Sequence, residues 1–99
     1  MTRRLILAAT ARRDLDSLLR GLEQRAGYEV ASGYVSRVER FLQGLVDFPE
    51  RGTRRSKHRP KMRVIGFERR VSVVFTVDGG DVVVLRVLYG GRNLPPDLS

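Results

Sequence analysis

Seven cations and no acid lie between Arg51 and Arg63: Arg51, Arg54, Arg55, Lys57, Arg59, Lys61 and Arg63. The chain's one histidine, His58, falls in the same stretch. The 99-residue chain carries 19 Lys and Arg against 11 Asp and Glu, so its net charge of +8 is concentrated here and the rest is close to neutral. A localised positive field attracts phosphate backbones or an acidic protein surface, and it speeds encounter with either. A loop serving solubility alone would carry this self-repulsion without return. Only Lys57 and Lys61 in the whole chain are lysines. The planar arginine fork suits phosphates and carboxylates better than an ammonium does.

Nearer the C-terminus stand Arg86, Tyr89 and Arg92. With His58 and Arg63 they could serve phosphodiester chemistry. Arginines stabilise a pentacovalent phosphate, while a histidine or tyrosine moves protons during attack by a ribose 2′-hydroxyl. The same residues could equally form a docking surface without catalysis. Arg86, expected on one sheet face with Val82, Val84 and Leu88, either snorkels from a core edge or lines a concave site.

Other chemistries are poorly supplied. The absence of cysteine removes disulfides, thiolate nucleophiles and sulfur-ligated zinc. A single histidine excludes His-rich metal centres and gives no convincing serine triad. No G-x-G-x-x-G or P-loop follows a strand, and Gly79-Gly80 and Gly90-Gly91 read as turns. No catalytic residue, cofactor or metal ligand is therefore assigned. The candidate contact residues are Arg51, Arg54, Arg55, Lys57, His58, Arg59, Lys61, Arg63, Arg86, Tyr89 and Arg92.

These residues must be held by a small fold. A chain of 99 residues is expected to form one domain, residues 1–99, with a modest core. Leu5 to Ala9 is too short for the apolar stretch of a signal peptide and reads as a strand, and no run is long enough to span a bilayer. The expected compartment is the cytoplasm. Ala11, Leu15, Leu18, Leu19, Leu22 and Ala26 form the stripe of an amphipathic helix, with Thr10 as its N-cap and Gly27 as its end. Ala31, Tyr34, Val35, Val38, Phe41, Leu42 and Leu45 repeat the spacing in a second helix, which stops near Phe48 before Pro49. Strands are expected at Met62–Phe67, Val71–Val77 and Val82–Tyr89, the last two joined by a tight turn at Gly79-Gly80. The third, apolar on both faces, belongs in the middle of the sheet. The expected class is α+β, order β-α-α-β-β-β, with a helical hairpin packed on a mainly antiparallel sheet. Its expected core is Leu15, Leu18, Leu22, Tyr34, Val38, Phe41, Leu45, Val73, Phe75, Val83, Leu85 and Val87.

Several short motifs, in order, resemble the RelE/ParE superfamily of bacterial type II toxins, and most closely its ParE branch. Ala11-Arg-Arg-Asp14-Leu15 is similar to the family's A-x-x-D-L helix start, and Ala31 with Tyr34 to its A-x-x-Y. Leu45, Pro49 and Gly52 stand where the family has L-x-x-x-P-x-x-G, and Arg63 where an arginine opens the following strand. In Val71–Asp78, Phe75 and Thr76 replace the family's usual tyrosine and arginine. Arg86-Val-Leu-Tyr-Gly-Gly-Arg92 is close to the ending R-V-L-H-G-R-R. The resemblance implies a RelE/ParE-like fold and a toxin neutralised by a cognate antitoxin. For the ParE branch it implies inhibition of DNA gyrase by binding, without catalysis. The alternative is the RelE activity, ribosome-dependent mRNA cleavage. Arg63 and Arg92 match two arginines of that site, but no tyrosine or histidine follows Arg92, and Tyr89 replaces a common ParE histidine.

Overall fold

The structure, a computed structural model, describes residues 3–47, 53–54 and 61–90. Its elements are β1 (Leu5–Leu7), α1 (Ala9–Ala26), α2 (Tyr28–Asp47), β2 (Thr53–Arg54), β3 (Met62–Phe67), β4 (Val71–Asp78) and β5 (Asp81–Tyr89). The expected β-α-α-β-β-β order stands, with the two-residue β2 added.

Residue 27 alone joins the helices. Gly27 takes φ +89°, its N–H donates to the Glu23 carbonyl, and its own carbonyl accepts from Ala31 N–H. A side chain would strain this conformation, so a glycine is what lets two helices of 18 and 20 residues follow one another without a loop. Their apolar stripes face the sheet. Ala11, Leu15 and Leu18 of α1 join Val35, Val38, Leu42 and Leu45 of α2 in one buried cluster with Val71, Val73, Phe75, Val82, Val84 and Val87.

The sheet order is β1-β5-β4-β3-β2. β5 is flanked on both sides, as its two-faced apolarity requires, and it runs parallel to β1 and antiparallel to β4. Gly79 and Gly80 take φ +57° and +90°, giving the two-residue turn between β4 and β5. The reverse face has its own smaller cluster, Met62 and Val74 with Val64 and Leu85 packed on it.

Two expectations need correction. Thr10 is not an N-cap: α1 begins at Ala9 after Ala8, and the Thr10 hydroxyl donates to the Leu85 carbonyl at 2.7 Å. A bond across to β5 replaces the local cap. In β5, Val82 and Val84 fill the helix-side core, not Val83 and Leu85. Val74 opposes Arg86 and Phe75 opposes Val84, which leaves Leu85 as an extra residue, a β-bulge. Strict alternation read back from Val87 selects Val83 and Leu85; the bulge inverts that parity. It also removes Arg86 from the face of Val82 and Val84. Of the other expected core positions, Leu22, Tyr34 and Phe41 are partly buried and pack against the cluster.

Candidate functional site

β1 ends opposite Val84, so β5 continues past it with an open edge. Helix α1 closes that edge with side chains. Thr10 takes the Leu85 carbonyl, and Asp14 one turn later accepts the Val87 N–H at 2.8 Å. The same carboxylate accepts both forks of Arg86, from Nε at 2.8 Å and from an Nη at 3.1 Å. The pair is partly withdrawn from water, with side-chain exposures of 30% for Arg86 and 17% for Asp14. Arg86 thus sits in a charge-assisted bidentate bond. It also borders a hollow of about 270 Å³ lined by Ser17, Gly21, Arg25 and Tyr89. Both sequence readings of Arg86 hold in part: it lies at a core edge and lines a concavity.

Tyr89 separates this hollow from a second of about 410 Å³, bordered by Leu22, Ala26, Val30, Tyr34, Arg37 and Arg70. Here aromatic rings and arginines interleave. Tyr34 packs edge-on against Tyr89, with centroids 6.2 Å apart, and against Phe67 at 6.3 Å. The Arg25 guanidinium lies 5.8 Å from the Tyr89 ring centre and that of Arg37 5.0 Å from Tyr34, both within cation–π range. The nearby Tyr89 side chain raises the Arg70 guanidinium above the ordinary arginine value. The hydrogen bond from Arg37 to Glu68 at 3.1 Å does the same for Arg37. Burial, then the nearby Glu68 charge, pushes the Tyr34 phenol up. The Tyr34 hydroxyl is buried and has no hydrogen-bond partner among the described residues.

The β3–β4 turn supplies Glu68 and Arg70. Glu68 and Arg69 take φ +50° and +61°, the left-handed region that non-glycine residues occupy at a cost. The Arg37–Glu68 pair and the Gly90 N–H to Arg70 carbonyl bond at 2.9 Å tie down the turn.

The candidate residues from the sequence scatter. Arg86 and Tyr89 line a common hollow. Arg63 lies on β3, two strands from β5, and opposes Phe75 in register. Lys61 is exposed beside the start of β3, and Arg54 forms part of β2. Arg51, Arg55, Lys57, His58, Arg59 and Arg92 lie outside the described residues. Sequence reasoning did not select Tyr34, Arg25, Arg37 or Arg70. Helical spacing does put Gly21, Arg25 and Ser17 on one face of α1. No signal within the sequence links that face to Tyr89. Among the described residues no cluster of His, Asp or Glu could hold a metal ion, and no helix is long and apolar enough to cross a membrane.

A model of the family described as the ParE toxin of the type II toxin–antitoxin system parDE matches residues 5–94. The chain belongs to the ParE toxin family. It is 36% identical over 86 residues to Toxin ParE3 of Caulobacter vibrioides, covering 87% of this chain and 85% of that one. Its fold is also that of two solved structures. A chain of the chromosomal ParDE toxin–antitoxin system from P. aeruginosa superimposes with TM-score 0.78 at 24% identity, over 90% of this chain and 97% of the other. A chain of the toxin–antitoxin complex RelBE2 from Mycobacterium tuberculosis gives TM-score 0.68 at 19% identity, over 90% and 99%. The chain is thus a type II toxin of the ParE branch within the RelE/ParE superfamily, as its motifs indicated.

Proposed function

We propose that this ParE-family toxin acts in the cytoplasm by binding DNA gyrase, and that a cognate antitoxin holds it inactive. The match to the ParE family over residues 5–94 carries the reading. The state of the described arginines and tyrosines supports binding over phosphodiester cleavage. Arg86 is paired with Asp14, and Arg63 stands two strands away from Arg86 and Tyr89. A phosphoryl-transfer site needs such groups converging on one reacting atom with charge to spare. Arg51, Arg54, Arg55, Lys57, Arg59, Lys61 and Arg63 then act as a steering surface for an acidic partner or for DNA held by the target.

Purified toxin added to gyrase in a supercoiling assay, alongside transcript mapping in expressing cells, tests the reading. Loss of supercoiling with intact transcripts supports it. Transcript cleavage with unaffected supercoiling replaces it with the mRNA endonuclease.

A further inference from the structure

We infer that the hollow between α2 and the end of β3 is a contact for single-stranded DNA, with a base stacked on Phe67 and Phe41 and the flanking phosphates on Arg40 and the β3–β4 turn. The inference rests on the gyrase reading above and extends it to the DNA that the target holds.

The hollow measures about 340 Å³ and is bordered by Arg37, Arg40, Phe41, Phe67 and Glu68. That volume falls within the range of sites for small ligands, about 300–1,000 Å³. The Arg37–Glu68 pair also borders the hollow beside Tyr89, but Tyr89 does not line this one. Helical spacing sets Arg37 and Arg40 beside Phe41 on one face of α2. The rings of Phe41 and Phe67 lie 4.9 Å apart, inclined at 39°, and both are only partly buried where they pack on the core. Gly44, one turn beyond Arg40, has open space where a side chain would stand, so a strand crossing the rings has room to continue along α2.

Charge and shape together decide what fits. Arg37, Arg40, Arg69 and Arg70 gather at this end of the fold, around the Glu68 carboxylate. Glu68 is committed to Arg37 at 3.1 Å, and Arg40, Arg69 and Arg70 have no ion pair among the described residues. Uncompensated guanidiniums around an aromatic floor match a ligand that alternates anionic groups with flat apolar faces. A single strand of DNA does so at every nucleotide, whereas a duplex keeps its base faces inside the stack. An acidic peptide would set its carboxylates against Glu68. A base brings a neutral face instead, and its exocyclic amine can donate to that carboxylate.

The test measures, by fluorescence anisotropy, binding of the full-length toxin to a labelled single strand of about 12 nucleotides, within the range that a small binding domain covers. Arg40→Gln should weaken binding about 5- to 10-fold and lower the slope of log affinity against log salt by about 0.7, the share of one phosphate contact. Arg20→Gln, the same charge loss at an exposed position of α1 that lines no part of the hollow, should change affinity by less than about 2-fold. Phe67→Leu should weaken binding by at least about 5-fold, while Phe67→Tyr, which keeps the ring, should match the parent. The duplex of the same sequence should bind at least about 5-fold more weakly than the strand. Thermal melting checks each variant, and Arg40→Gln, at an exposed helix position, decides the matter if Phe67→Leu does not fold.

Gyrase supercoiling is assayed with the same proteins. If the parent inhibits gyrase but does not bind the strand, or if Arg40→Gln and a folded Phe67→Leu bind it as tightly as the parent, the contact is overturned and the gyrase reading stands. If strand binding depends on both residues while supercoiling is untouched, the contact is supported and the gyrase reading fails. Equal affinity for duplex and strand, or displacement of the strand by oligoglutamate as readily as by unlabelled strand, also overturns the contact.

Discussion

Asp14 on α1 holds both Arg86 and the backbone of Val87, so one carboxylate fixes the helix to the sheet edge and neutralises an arginine of the motif Arg86–Arg92. Replacing Asp14 with alanine takes a carboxylate from a partly buried guanidinium and from a strand N–H together. The expected loss is about 3 kcal/mol in urea unfolding. Arg86→Met, which removes the charge but keeps the stem, should cost less than half as much. Equal losses would show that the Val87 bond contributes nothing.

The bulge in β5 makes an asymmetric prediction. Val84 is fully buried beneath the helices, whereas Val83 is only partly covered. Val84→Ala should therefore cost about 2 kcal/mol and Val83→Ala less than 1 kcal/mol. The reverse ranking would contradict the register.

In the β3–β4 turn, Arg69 holds a left-handed conformation without a described ion pair, while Glu68 holds one and pairs with Arg37. Arg69→Gly should leave stability equal or raise it by up to about 1 kcal/mol, since relief of strain offsets the added chain entropy. Glu68→Gly removes the ion pair as well and should fall below Arg69→Gly in thermal melts. A stabilised Glu68→Gly would mean that the pair does not hold the turn.

The Asp81 carboxylate lies below the ordinary range because Arg4 hydrogen-bonds it at 3.0 and 3.3 Å. Its folded pKa is lower than its unfolded one, so this contribution is present above the unfolded carboxylate range, about pH 4, and is lost as pH falls through the folded value. The pair is exposed, so the effect is small and salt-sensitive. Melting temperatures between pH 2 and 5 should fall less steeply for Asp81→Asn than for the parent; identical slopes would remove the pair from the acid response.

How much of this was legible depended on whether a residue's role is local. The amphipathic stripes and the Gly79-Gly80 turn announce themselves over a few residues, and so the elements and their order could be read. The family motifs were legible for the same reason. The bulge was not, because an extra residue at Leu85 is defined only by the pairing of Val74 with Arg86 and Phe75 with Val84. The role of Thr10 was hidden likewise: its hydroxyl finds a carbonyl 75 residues away. Tyr34 was read as core from its stripe, and it does pack there. That its hydroxyl is buried with no partner among the described residues depends on Tyr89 and the β3–β4 turn arriving from the other end of the chain. Charge density singled out the run from Arg51 to Arg63, whereas Arg25, Arg37 and Arg70 become a cluster only in the fold.

The measurement that bears most directly on function is supercoiling by purified gyrase with increasing toxin, comparing the parent with Tyr89→Phe and with the combined Arg54, Arg55, Lys57 and Arg59 to Ala variant. A toxin that acts by binding predicts inhibition by the parent, nearly equal inhibition by Tyr89→Phe, and slower, less salt-sensitive inhibition by the charge-depleted variant. Loss of a proton-transfer group in a nuclease costs about 10²–10⁴ in rate, so Tyr89→Phe would silence an enzyme that used it. Unimpaired supercoiling at every toxin concentration, with toxicity in cells abolished by a folded Tyr89→Phe, would contradict the account.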